Sequence, residues 1–131
     1  MKRFITFITL LIIELSVLSI DVKGSEKTST EGGRYEIIQS KVARKYTFKL
    51  DKKTGIIYQM VKSRNDEIVW ETMIILDLKY EYTITDINYQ IFLGDFTVSD
   101  SFLMNIHTGK TWQLFIDDKT KEYFWAPVEA K

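Results

Sequence analysis

The chain has 131 residues, with 18 basic and 18 acidic side chains, a single histidine and no cysteine. That length suits one domain. The cancelled charge supplies no global field toward nucleic acid or an anionic membrane, and the missing cysteines exclude a disulfide framework and a lipidated cysteine. With the N-terminal two dozen residues set aside, enough chain is left for one modest core and too little for a deep enclosed active site.

Lys2 and Arg3 precede an apolar run over 4–13 (FITFITLLII), the arrangement of a secretory signal. Ser16, Val17 and Ser19 offer small residues for a cut after Ser19. An uncleaved anchor is the alternative, since 4–20 is just long enough to cross a bilayer, but Glu14 sits inside that stretch. A charge there costs roughly 3 kcal/mol or more. The expectation is a signal peptide over 1–24, with membrane contact only through this segment if it stays uncleaved. Export without disulfides points to a bacterial protein, periplasmic or extracellular. Residues 25–33 (SEKTSTEGG) are small and polar and predict a flexible tether.

Residues 34–131 read as an all-β domain. Short runs rich in β-branched and aromatic types occur at 35–39 (YEIIQ), 46–50 (YTFKL), 56–61 (IIYQMV) and 68–70 (IVW). Tyr46, Phe48 and Leu50 alternate with Thr47 and Lys49, the period of a strand with one buried face. The strictest alternation, ILDLKYEYTI over 75–84, puts Leu76, Leu78, Tyr80, Tyr82 and Ile84 on one side. It predicts a connecting strand over 73–84.

A shift of 54 positions superposes two parts of this domain. Tyr35 falls on Tyr89, Ile37 on Ile91, Phe48 on Phe102 and Leu50 on Met104. Asp51, Thr54 and Gly55 fall on Asn105, Thr108 and Gly109, and Tyr58 on Trp112. With one extra residue in the second copy, Trp70 meets Trp125. The expectation is an internal repeat, with copies at about 34–72 and 88–128. Asp51 or Asn105 can accept bonds from backbone N–H groups just ahead of it, and each glycine supplies the positive φ of a type I turn with a G1 bulge. Tyr58 and Trp112 are then placed to pack over their hairpins, and residues 65–66 and 117–119 make second polar turns. The predicted fold is two tandem β-meanders in a small sandwich or barrel-like domain, behind an N-terminal signal helix.

The text around Phe48–Gly55 and Phe102–Trp112 resembles the LD-x-x-TG-x-x-W strand–turn–strand of quinoprotein-type β-propeller blades. It is also similar to small bacterial exported proteins carrying one or two such units, for which no activity is implied. The resemblance covers roughly 46–60 and 100–114. Two blades cannot close a propeller of the usual four to eight, so quinone binding is not implied. Asn105 replaces the usual Asp and Tyr58 the usual Trp.

The chemistry-bearing residues have structural explanations. Asp51, Asn105, Asp117 and Asp118 could offer oxygens to calcium, but Lys52 and Lys53 oppose a cation and the turn role accounts for the acid. His107 lies in the second turn beside no repeated acid or cysteine. There is no G-x-S-x-G, G-x-G-x-x-G or P-loop. No catalytic residue, metal or cofactor is predicted, and the chain is read as not an enzyme. The aromatics either fill the core or leave Trp70, Trp112 and Trp125 as a surface that stacks on a partner such as a glycan. Nine basic residues against two acidic over 34–64, and eight acidic against one basic over 66–100, either pair across strands or leave a basic face for an anionic partner. That basic face would draw on Arg44, Lys45, Lys49, Lys52, Lys53, Lys62 and Arg64. The expected function is an exported non-catalytic β module for binding or interaction. The alternative is a structural or accessory subunit of a cell-envelope complex, meeting another envelope protein through a flat apolar patch or an open sheet edge.

Overall fold

The computed structural model describes residues 26–27, 32–41, 43, 45–79, 86–129 and 131. The expected signal segment lies outside them. The rest is all-β, in two five-stranded sheets, neither of which closes into a barrel. The first sheet runs β1 (Glu26–Lys27), β2 (Tyr35–Gln39), β3 (Thr47–Asp51), β4 (Ile57–Lys62) and β5 (Ile68–Thr72), in chain order and antiparallel throughout. The second contains β6 (Ile74–Ile75), β7 (Tyr89–Phe92), β8 (Phe102–Asn105), β9 (Thr111–Ile116) and β10 (Tyr123–Pro127), in the order β6-β10-β9-β8-β7. Strands β7 to β10 form an antiparallel meander, and β6 adds to β10 in parallel.

Positions 54 apart hold the same places in the two ladders. Tyr35 is opposite Asp51 as Tyr89 is opposite Asn105, and Lys49 is opposite Tyr58 as Leu103 is opposite Trp112. Within the stretch 25–33, expected as a flexible tether, Glu26 and Lys27 pair with Gln39 and Ile38, because an open strand edge binds backbone and needs no apolar side chain. Of the connecting strand expected over 73–84, the described part, 73–79, is strand only at Ile74–Ile75. Asp77, at φ 58°, turns the chain directly after it, and residues 80–85 lie outside those described.

The core lies between the sheets. Ile38, Phe48, Leu50 and Ile57 from the first sheet meet Ile91, Leu103, Trp112, Leu114 and Trp125 from the second. Trp125 stands edge-on to Phe48 with 6.2 Å between ring centres and donates its Nε1–H to Met73 Sδ at 3.4 Å. Trp112 donates to the Leu76 carbonyl at 2.9 Å. Trp112 is therefore a core residue rather than a lid over its hairpin. The Tyr46 and Tyr123 hydroxyls meet at 2.7 Å across the two sheets. Burial, and then this bond, pushes Tyr123 up to about 12.

The turn chemistry matches the sequence in its residues and departs from it in its type. Asp51 Oδ1 accepts the N–H of Lys53 at 3.1 Å and of Thr54 at 3.4 Å, while the Gly55 N–H closes on the Asp51 carbonyl at 2.8 Å. Asn105 makes the same bonds to His107, Thr108 and Gly109 at 2.9, 3.1 and 2.8 Å. A closing bond from the fifth residue to the first makes each turn one residue longer than the type I turn with a G1 bulge. That shorter turn occurs instead at Ser63–Glu67, where Asp66 takes φ 63°. A third copy of the longer turn, unmarked by glycine, starts at Asp117. Its carboxylate accepts Lys119 and Thr120 N–H at 2.8 Å each, and Lys121 N–H closes on its carbonyl at 2.8 Å. Lys121 sits at φ 61°, the place held by Gly55 at 78° and Gly109 at 74°.

Different neighbours at the two glycines give different expected costs. A Cβ on Gly55 would lie 3.0 Å from the Tyr89 ring, whereas one on Gly109 meets no described atom within 4 Å. Gly109→Ala should lose about 1 kcal/mol from its left-handed backbone alone. Gly55→Ala should lose about 1–3 kcal/mol more through overpacking. Lys121→Gly should gain about 0.5–1 kcal/mol. Denaturant melts of the three variants check the order; equal losses at the two glycines would contradict the Tyr89 contact.

Candidate functional site

The three tryptophans do not form one surface. Trp112 and Trp125 are buried in the core, and only Trp70, 36% exposed, reaches solvent. The three-tryptophan platform is thus corrected, because β9 and β10 turn their rings inward and β5 turns its ring outward. Among the described residues, two ion pairs draw on the charge blocks. Arg34 pairs with Asp51 at 2.8 Å and Lys62 with Asp66 at 3.0 Å. No register places a cation of 34–64 directly opposite an acid of 66–100. Within the basic block, Lys52 is buried, and Lys49 lies over the Tyr58 and Trp70 rings at 4.5 and 4.9 Å from their centres. His107 is an exposed turn residue, its Nε2 3.0 Å from the Ile87 carbonyl.

Asp51 has a partner the sequence did not reveal. Arg34 Nε and Nη2 reach its two oxygens at 3.1 and 2.8 Å, beside the turn bonds. Burial pushes this carboxyl up, but the Arg34 bond, the Lys53 N–H and Thr54 outweigh burial and hold it below the usual aspartate range. Asp51 therefore serves the turn and the start of β2.

What the structure does bring together is apolar surface on the outside of both sheets. An antiparallel sheet with one wet face ordinarily alternates apolar inside and polar outside. In β7 the inward residues are Tyr89 and Ile91, yet the outward Phe92 is 64% exposed. It pairs with Phe102, and the next row holds Met104 opposite Gln90. Phe115 and Phe124 stack on the same face at 5.9 Å, and Phe124 adjoins the exposed Ile74. Strands β6 to β10 contain no Asp, Glu, Lys or Arg. The outer face of the first sheet carries Tyr35, Ile37, Lys49, Tyr58, Met60, Lys62, Ile68 and Trp70, with two lysines among them.

The two sheets use opposite sides of the same pattern. Ile38 is 1% exposed and its counterpart Phe92 faces solvent; Ile37 is exposed and its counterpart Ile91 is buried. Leu50 is buried against exposed Met104, and Trp70 is exposed against buried Trp125. The inner face of one sheet corresponds to the outer face of the other. Sequence alternation names two sides of a strand without saying which is inward, and that is why these faces were missed. The available signal was apolar residues at both parities in YQIF and FLM.

The depressed Asp51 value has a sign. Its stabilising contribution is fully present above the ordinary aspartate value of about 3.9 and is lost as pH falls through the lower folded value. Asp51→Asn keeps the turn acceptor and loses the ion pair. It should cost about 1 kcal/mol near neutrality, since Arg34 is half exposed. Melts of both proteins across the acid range should converge; a difference independent of pH would contradict the pairing.

Compared with family models, curated proteins and solved structures, the chain matches none.

Proposed function

We propose that this chain is an exported, non-catalytic interaction module that acts as a structural subunit, packing its outer sheet faces against protein. We read its two meanders as copies of one strand–turn–strand unit. The observation carrying this reading is the charge-free outer face of β6 to β10, with Phe92, Met104, Phe115 and Ile74 exposed together. A flat apolar face rimmed by polar turns is the surface a protein partner covers. Sugar stacking is less favoured, because Trp112 and Trp125 are committed to the core. Between a soluble binding module and an assembly subunit, an open apolar sheet face favours the subunit. Export, from the N-terminal Lys2–Arg3 and the apolar run over 4–13, places this assembly in the bacterial envelope or outside the cell.

Photo-crosslinking in the producing cell tests this. A benzoylphenylalanine at position 92 or 115 should give a protein adduct, whereas one at Asn65, on an exposed turn, should give none. Adduct-free chain at both sheet positions would overturn the proposal. An adduct from position 65 as strong as from 92 would also do so.

A further inference from the structure

We infer that copies of this chain stack head to tail, the outer face of the second sheet in one copy packing on the outer face of the first sheet in the next. This rests on the interaction-module reading above and identifies its partner as a second copy.

The contact between the sheets inside one chain is the template. There, the ring of Tyr89 lies against Gly55, the Asn88 amide donates to the Lys53 carbonyl at 2.9 Å, and Trp125 meets Phe48. The counterparts of the Tyr89–Gly55 and Trp125–Phe48 contacts are Tyr35, Gly109, Trp70 and Phe102, while Arg34 and His107 stand in the places of Asn88 and Lys53. Tyr35 is 49% exposed, Gly109 is open, Trp70 is exposed, and Phe102 is only half-buried. A second copy placed as the second sheet is placed on the first would set its Tyr35 on Gly109 and its Trp70 on Phe102.

A second copy is favoured over an unrelated partner because each open face carries the side-chain types that already fit the other. Phe92, Phe102 and Met104 stand where Ile38, Phe48 and Leu50 stand on the first sheet. Tyr35, Ile37 and Trp70 stand where Tyr89, Ile91 and Trp125 stand on the second. The departures are Gln39 for Leu93, Thr111 for Ile57, and Lys49, which takes the place of Leu103. Its ammonium is held over the faces of Tyr58 and Trp70, an arrangement that tolerates desolvation better than a bare lysine. A two-layer domain needs one apolar face per sheet. Apolar faces on both sides of both sheets are what a longer stack needs. Packing the second sheet's outer face on itself would instead bring the Phe92 rows together, a pairing without precedent in the chain.

Such a contact joins unlike surfaces, so it closes into a ring or grows as a fibre according to its rotation. Four-stranded sheets arranged radially close at about four to eight, which here means about two to four copies.

The test expresses the full coding sequence and takes the protein in the form the cell leaves it. Ile37→Glu blocks the first sheet's outer face and Phe92→Glu the second's, with Trp70→Glu and Met104→Glu as a second pair. Near-UV circular dichroism and a melt establish that each variant folds. By native mass spectrometry, wild type should be a multiple of the single-chain mass and each variant alone a monomer. An equimolar mixture of Ile37→Glu and Phe92→Glu should form a complex of two chains and nothing larger, because each retains the face the other has lost. A monomeric wild type, an assembly surviving in either variant alone, or a monomeric mixture would overturn the inference. Wild-type monomers that still crosslink from position 92 to another protein would sink self-stacking and leave the interaction module standing.

Discussion

The ring of Tyr89 against Gly55 sets how the two sheets meet. Backbone bonds fix it in place: the N–H groups of Asn88 and Tyr89 both donate to the Lys52 carbonyl, at 2.8 and 2.9 Å. With Tyr89 turned inward, the two-residue period of a strand sends Ile91 inward and Phe92 outward. The register of β7 with β8, and of β8 with β9, then carries that choice to Leu103 and Trp112. In β2 the Tyr35 ring is half exposed, with the Arg34 guanidinium 5.1 Å from its centre. One contact thus decides which side of each sheet becomes core.

That choice has an energetic consequence. Burying a Phe or Leu side chain is worth about 1.5–3 kcal/mol relative to exposure. Phe92 and Met104 forgo that gain in an isolated chain, while their counterparts Ile38 and Leu50 on the inner side of the first sheet collect it. Large apolar residues on both sides of the sheets are what the proposed partner on each side would cover. The polar devices sit elsewhere, in the turns and in the Arg34–Asp51 pair, where they fix geometry and leave the faces clear.

Much of the fold was legible because it is local. The turns at 51–55 (Asp51, Thr54, Gly55) and 105–109 (Asn105, Thr108, Gly109) close through bonds between residues two to four apart, so their residue types announce them. The turn at 117–119 was legible as a polar turn, but its likeness to the other two was not, because Lys121 accepts a left-handed backbone that glycine usually marks. Over 75–79 the alternation gave no sign of the left-handed turn at Asp77, which follows the two-residue strand Ile74–Ile75, because no alternation pattern encodes a turn. Runs of charge along the chain carry no register, and register alone puts a cation opposite an acid. The faces depended on which side of β7 is inward, and that is a tertiary fact held by Tyr89.

Tryptophan accessibility tests head-to-tail stacking most directly, because Trp70 alone of the three tryptophans reaches solvent and it lies on the sheet opposite Phe92. Acrylamide quenching of wild type and of Phe92→Glu at matched concentration separates the cases. Stacking requires protected emission in wild type and a newly quenchable tryptophan in Phe92→Glu, although the substitution is on the other sheet of the same chain. Identical quenching in the two proteins would contradict it.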